Sequence, residues 1–199
     1  MPMTDNGDLT ALVGSRICHD LVSPLGAIGN GLELMLLSGA EETPELTLVN
    51  EALAGAHARI RFFRLAFGAA RDGTLVCAGD VREALAALGG PKLAISWEVR
   101  EELPRAEARR VLLAITCLEA AMPFGGRITV TESDAGWSVR GESERFIIDE
   151  ADWAFFGPER PAALPDPSKV QFALLAQDGQ DTGHAPTVTA SDTDIILRV

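Results

Sequence analysis

The feature of the sequence that most limits its fold is an unbroken apolar heptad in the first third of the chain. Between residues 46 and 67 the apolar positions are separated by alternating steps of three and four. This spacing is typical of a long α-helix that packs one stripe against other helices. Thr43 can cap the helix, and Pro44 suits its first turn. The stripe consists of Leu46, Val49, Leu53, Ala56, Ile60, Phe63 and Phe67.

A second apolar stripe predicts another long helix from Leu9 to Leu37. Asp8 is a plausible N-cap, and Ser38-Gly39 is a plausible stop. Because only Gly39 to Thr43 separate the two helices, we expect an antiparallel helical hairpin. The stripe of the first helix consists of Leu9, Val13, Ile17, Leu21, Leu25, Ile28, Leu32 and Met35.

A lone hairpin cannot cover apolar stripes of this length. Two hairpins from two chains would bury them in a four-helix bundle, and we therefore expect a homodimer. The alternative is that the second half of the same chain covers the stripes.

Beyond Arg71-Asp72-Gly73 the pattern becomes mixed α/β, which divides the chain into a hairpin domain, 1–72, and a second domain, 73–199. The second domain is predicted to hold three helices and two β-hairpins besides a first strand. The helices are Val81 to Leu88, capped by Asp80, then Arg105 to Ala121 and Val170 to Gln177. The strands are Lys92 to Val99, Arg127 to Thr131, Gly136 to Arg140, Thr187 to Ala190 and Ile195 to Val199.

Composition narrows the possible functions. The chain has 199 residues and a net charge of −12, which argues against binding to nucleic acid or to an anionic membrane. It lacks an apolar run of the roughly 18 to 20 residues that a membrane span requires. No secretory signal is recognisable at its start. Three widely spaced cysteines are consistent with reduced thiols, so we expect a cytoplasmic protein.

His19 is the candidate for chemistry. It lies in the first helix about 160° around the axis from Ile17 and Leu21, so it projects away from the apolar stripe. An exposed helical histidine is often a plain surface residue. Pro24, however, lies inside the same helix five residues later, where a proline costs roughly 3 kcal/mol. Such a cost beside an exposed histidine favours a functional role.

The segment around His19 resembles the H-box of histidine kinases. His19-Asp20-Leu21, followed by Pro24-Leu25 and Ile28, matches the pattern of a histidine, an acidic residue, an apolar residue and a later Pro-Leu. The order of domains is similar too, with a helical hairpin before an α/β domain of the ATP-binding type. The resemblance implies a Bergerat-type ATPase fold, an α/β sandwich, for residues 73–199.

The kinase nucleotide motifs are missing. The magnesium-binding asparagine would fall near Cys117, and no Asn occurs after Asn50. Neither the Asp-x-Gly-x-Gly loop nor a Gly-x-Gly turn before Val170 is present, although phosphate cradles need glycine for close backbone approach. We therefore expect an ATPase-like domain without a nucleotide site, and no cofactor or metal ligand set in this chain.

An H-box hairpin joined to a degenerate ATPase-like domain resembles the ChpT-type histidine phosphotransferases. The resemblance implies that His19 accepts a phosphoryl group from the phospho-aspartate of one receiver domain and donates it to another. The receiver would supply Mg²⁺. In the family the partners are the receiver of a hybrid kinase of the CckA type and response regulators of the CtrA and CpdR type. The most similar segments are Arg16 to Asp20, Ser23-Pro24 and Phe67-Gly68-Ala69.

Neighbouring residues are candidates for supporting roles. Arg16 and Ser23 share the face of His19 and could contact the phosphoryl group. Asp20 could orient the imidazole or act as a base. Folding the hairpin about residue 41 sets His19 opposite roughly position 63, near three arginines that could steer an acidic receiver. Alternatively these arginines form a solvated face that pairs with acidic residues or with the partner chain. They are Arg59, Arg61 and Arg64.

Two other functions compete with the relay. The chain could be a non-catalytic dimer that binds receivers or regulates a kinase, in which His19 is incidental. It could also be an active kinase with a divergent nucleotide loop, although the missing glycine motifs argue against this.

Overall fold

The structure, a computed structural model, describes residues 6–70, 73–86, 88–98, 102–133 and 136–199, and only the backbone of residues 6–9. Two long helices come first, α1 (Asn6–Leu37) and α2 (Pro44–Phe67). As predicted, Thr43 caps α2, because its Oγ1 accepts a hydrogen bond of 3.3 Å from the Leu46 N–H. The predicted N-cap of α1 is wrong, because the helix begins at Asn6 and Asp8 lies inside it. An acidic residue also suits a first turn, since it opposes the helix dipole.

Glycines let α1 and α2 approach closely. A Cβ atom on Gly14 would lie 3.1 Å from the carbonyl oxygen of Phe67, and one on Gly29 would lie 3.2 Å from the Leu53 side chain. These two contacts fix the antiparallel register of the hairpin. Interpolation between them sets His19 level with Phe62, within one residue of the predicted position 63.

Most of the apolar stripe of α1 is not covered by the described part of its own chain, although its members Leu25 and Leu32 are half-buried. Helix α2 packs beside the stripe rather than on it, against a face that includes the buried Ala11 and Cys18. The stripe residues Val13, Ile17, Leu21, Ile28 and Met35 remain about half exposed.

The second domain is built on two sheets. Strands β1 (Leu75–Cys77) and β3 (Glu102–Pro104) form an antiparallel pair. The larger sheet has the order β2-β4-β5-β7-β6, in which only the β2–β4 pairing is parallel. Its strands are β2 (Leu93–Glu98), β4 (Gly126–Ser133), β5 (Gly136–Glu142), β6 (Thr187–Ala190) and β7 (Asp194–Arg198). The helices are α3 (Ala78–Ala86), α4 (Arg105–Ala121), α5 (Glu150–Trp153) and α6 (Val170–Thr182), with 3₁₀ turns at Ala154–Phe156 and Pro167–Lys169.

Helix α4 is the centre of the hydrophobic core. It contacts the sheet through β5, and it also contacts α6 and α2. Its residues from Val111 to Ile115 are all fully buried, because it has neighbours on nearly every side. Phe62 and Ala66 of α2 are fully buried in the same core. The last turns of the hairpin are therefore packed as part of the second domain.

The predicted fold class is confirmed: a helical hairpin precedes a mixed sheet covered by helices. Helix α4 has the predicted bounds, and the strands of both β-hairpins are where the sequence placed them. Asp80 does not cap its helix, because α3 begins two residues earlier, at Ala78. Helix α6 runs beyond the predicted Gln177 to Thr182 and ends at Gly183, whose φ of 74° is left-handed.

Some predictions fall outside the described residues. These are the end of the β2 prediction at Val99 and the turn at Asp134-Ala135. The division of the chain at residues 72 and 73 stays a prediction, since Asp72 also lies outside them.

Candidate functional site

His19 lies on the middle of α1 with its side chain 80% exposed, as the helical spacing predicted. The apolar stripe is on the opposite side of the helix, so packing does not cover the imidazole. The Nδ1 atom lies 3.1 Å from Oδ1 of Asp20, within hydrogen-bond distance. If Nδ1 carries the proton and donates it to this carboxylate, the lone pair of the neutral ring is on Nε2.

Asp20 connects His19 to Arg16. The Arg16 Nε donates a hydrogen bond of 2.8 Å to Oδ2 of Asp20, while Oδ1 faces the histidine. The hydrogen bond with His19 and then the contact with Arg16 lower the pKa of the Asp20 carboxyl. The carboxylate is therefore charged at neutral pH. Arg16, Asp20 and His19 form a hydrogen-bonded chain on the surface of one helix.

Ser23 and Pro24 lie one turn further along α1. Ser23 is exposed on the same face as His19 and Arg16, as predicted. Pro24 is inside a continuous helix and lacks an N–H, so it cannot donate to the carbonyl of Asp20. The structure thus brings the four candidate residues Arg16, His19, Asp20 and Ser23 together on two adjacent turns.

Ser15, which the sequence analysis missed, joins this helix face to the end of α2. Its Oγ donates a hydrogen bond of 2.9 Å to the carbonyl of Ala11 and accepts one of 3.1 Å from the N–H of Ala69. Gly68 is buried beside it, and a Cβ there would collide with the carbonyl of Arg64. The resemblance at Phe67-Gly68-Ala69 marked this segment, but the contact with Ser15 joins residues 54 apart and could not be read from spacing.

The three arginines of α2 are divided between two sides of the helix. Arg61 forms a salt bridge with Glu83 of α3, in which Nη1 lies 3.0 Å from Oε1. Arg61 and Arg64 together line a cavity of about 440 Å³. Arg59 lines a separate cavity of about 660 Å³ with Phe62 and Phe63. They therefore do not form one cluster, and their role in partner binding stays a prediction.

The pKa values of two groups near α2, the buried Cys18 and the half-buried Glu119, are affected by the charges of these arginines. Burial raises the pKa of the Cys18 thiol, and the positive charge of Arg64 offsets this in part. Burial also raises the pKa of Glu119, against the charge of Arg59. Arg64 is therefore close to the helical turn that carries His19, whereas Arg59 faces α4.

Two further properties concern only the part of the chain that the structure describes. There, no group of three or more His, Cys, Asp and Glu residues is arranged to hold a metal ion. None of the described helices is both long and apolar enough to cross a membrane.

Comparisons with known proteins decide the family. Residues 79–194 match the family described as histidine phosphotransferase C-terminal domain. The chain is 40% identical to the protein phosphotransferase ChpT of Brucella abortus (strain 2308) over 197 residues, which is 96% of this chain and 94% of the relative. The chain belongs to the histidine phosphotransferase family. This confirms the family that the H-box and the degenerate second domain indicated.

A solved structure agrees with this assignment. The histidine phosphotransferase chain matches the 1.7 Å structure of a bacterial phosphotransferase with a TM-score of 0.67 and 28% identity. The match covers 98% of this chain and 97% of the other, so it includes both the hairpin and the α/β domain. A histidine kinase domain from Erythrobacter litoralis EL346 matches 85% of this chain and 95% of its own, with a TM-score of 0.46 and 14% identity.

Proposed function

We propose that this protein relays phosphoryl groups between receiver domains, with His19 as the phosphorylated residue. The observation that carries the proposal is the exposed imidazole whose Nδ1 lies against the Asp20 carboxylate. A receiver domain can reach such a ring without any rearrangement of the hairpin. The name of the relative, a protein phosphotransferase, supports the same class of reaction.

The transfer needs a nucleophilic nitrogen and a charge partner for the ring. Nε2 attacks the phosphorus of the receiver's phospho-aspartate, and the P–O bond breaks with its electron pair leaving on the aspartate. The ring gains positive charge as the N–P bond forms, and Asp20 stabilises that charge through Nδ1–H. In the second half of the relay, the aspartate of another receiver attacks the phosphohistidine and the ring charge is lost again.

Arg16 and Ser23 have separate roles in this proposal. Arg16 holds the second oxygen of Asp20, which fixes the carboxylate in the rotamer that faces His19. Ser23 is exposed one turn beyond His19, where its hydroxyl can donate to a phosphoryl oxygen. Phosphoryl transfer depends mainly on such positioning and on neutralising charge.

The receiver supplies the remaining charge. We infer that its acidic pocket brings Mg²⁺, and that partners are a hybrid-kinase receiver of the CckA type and response regulators of the CtrA and CpdR type. Arg61 and Arg64 are the arginines placed on the side of α2 nearer to Ser15, and they would contact an acidic receiver more readily than Arg59.

We also propose that two chains associate through α1 in a four-helix bundle. Val13, Ile17, Leu21 and Ile28 form an exposed apolar stripe over four helical turns. A second copy presents the same stripe, so a two-fold axis would bury both. His19 lies on the opposite side of α1 and stays accessible in such a dimer.

A transfer assay tests the relay. Labelled phospho-receiver is mixed with the wild-type protein, with His19→Ala and with His184→Ala, beside a lane that holds only labelled ATP. His184 is a matched control, because it is another exposed histidine and its hydrogen bond among the described residues is local, with the carbonyl of Thr182 at 2.9 Å.

We expect acid-labile, base-stable label on the wild type and on His184→Ala, but none on His19→Ala and none from ATP alone. Label retained by His19→Ala would overturn the assignment of the site. Label taken from ATP would identify a kinase. Receiver binding without any label would favour the non-catalytic dimer.

A further inference from the structure

A cavity of about 440 Å³ lies between the helical hairpin and the second domain. Ser15 of α1, Arg61 and Arg64 of α2, and Arg105 at the start of α4 line it. Small-molecule sites in proteins commonly have about 300–1,000 Å³. The cavity is therefore large enough for a phosphate with a compact organic group.

Arg105 is the most unusual side chain in this cavity. It is 7% exposed, and its Nη2 donates a hydrogen bond of 2.6 Å to the carbonyl of Arg64. Its Nη1 is buried and has no hydrogen-bond partner among the described residues. No carboxylate of those residues forms a salt bridge with it. A buried guanidinium without a counter-charge is costly, and an anion in the cavity would relieve that cost.

Other charges around the cavity leave it positive. Arg64 also forms no salt bridge with a described residue, whereas Arg61 is matched by Glu83 at 3.0 Å. Asp80 contributes one further negative charge to the lining. Two unmatched arginines against one carboxylate leave a net positive site in a protein of charge −12. Burial, with the charges of Arg109 and Arg64, lowers the pKa of Arg105 only to about 10, so the side chain stays charged at pH 7.

We propose that this cavity binds the phosphate group of a small molecule between Arg64 and Arg105. Guanidinium groups match phosphate oxygens with paired hydrogen bonds. Leu65 and Val76 supply apolar wall beside them, which suits the organic part of a phosphate monoester. Free phosphate would use the same two arginines.

This site is separate from the proposed phosphoacceptor. It is lined by Ser15, one turn before His19, and not by His19 itself. It is also remote in sequence from Cys117 and from residues 138–143, where the kinase nucleotide motifs would fall. A ligand here would contact both the hairpin and the second domain, so it would favour their present arrangement.

Thermal unfolding of the full chain at constant ionic strength tests the proposal. The probes are inorganic phosphate and ribose 5-phosphate, with ribose and sodium chloride as controls. The variants are Arg64→Met and Arg105→Met, and Arg59→Met is the matched control on the other side of α2. His19→Ala shows whether the phosphoacceptor contributes. Arg64→Met keeps the experiment informative if Arg105→Met does not fold, because the Arg64 side chain is exposed.

We expect a saturable rise in melting temperature with phosphate or ribose 5-phosphate, retained in Arg59→Met and in His19→Ala. Loss of a hydrogen bond to a charged group should weaken binding at least about tenfold in Arg64→Met. A stronger effect of ribose 5-phosphate would identify a monoester as the ligand, and equal effects would identify free phosphate. Equal stabilisation by sodium chloride, unchanged binding in Arg64→Met, or loss of binding in His19→Ala would each overturn the proposal.

Discussion

Replacing Phe62 by alanine tests whether the hairpin and the second domain share one core. Phe62 is fully buried, and its ring meets that of Phe63 edge-on with centroids 6.0 Å apart. Buried Phe→Ala changes cost about 3–5 kcal/mol. In a chain of this length each kcal/mol shifts the melting temperature by roughly 2–4 °C, so Phe62→Ala should lower it by roughly 6–20 °C.

Phe63→Ala is the matched control, because it removes the same side chain from the next position of α2. Phe63 is 42% exposed, so its loss should lower stability much less. Urea unfolding followed by far-ultraviolet circular dichroism measures both variants at one protein concentration. A cost below about 1 kcal/mol for Phe62→Ala, or equal costs for the two variants, would refute the shared core.

Two further predictions concern helix α1. Asp20→Asn keeps an oxygen that can accept a hydrogen bond from His19 but removes the negative charge. Rapid-quench transfer rates should therefore fall by about tenfold while receiver binding is unchanged. An unaltered rate would exclude the role of Asp20 in charge stabilisation. Ile17→Glu places a carboxylate in the apolar stripe and should give monomers by light scattering, whereas Leu12→Glu, at an equally exposed apolar position on the His19 side, should not. Monomeric wild-type protein, or dimers of Ile17→Glu, would contradict the proposed bundle.

Local patterns in the sequence were sufficient for most of the fold. The bounds of α4 follow from a strong apolar stripe, and the Thr43-Pro44 start of α2 follows from capping chemistry. Strands β1 and β3 were missed because three residues are too few to show alternation. Asp8 and Asp80 were assigned as caps because acidic residues favour both the cap and the first turn, and the sequence does not separate these positions.

The candidate site was only partly predictable. The exposure of His19 follows from its angle on the helix. The contacts of Asp20 with Arg16 and with His19 follow from spacings of four residues and of one residue. By contrast, the hydrogen bond between Ser15 and Ala69 joins distant parts of the chain. The same holds for Arg105, which reaches the Arg64 carbonyl from 41 residues away. Such contacts depend on how the hairpin packs on the second domain, and periodicity carries no information about that.

The exposure of Arg16, Asp20 and His19 determines how strongly their charges interact before and after a partner docks. With side chains 75%, 50% and 80% exposed, these charges interact through water, whose high dielectric constant weakens each pair. A protein that docks over His19 displaces this water and lowers the local dielectric constant. The same three side chains would then interact more strongly without moving, so in the proposed relay the docked receiver would strengthen the pairing of Asp20 with His19 beyond that in the protein alone.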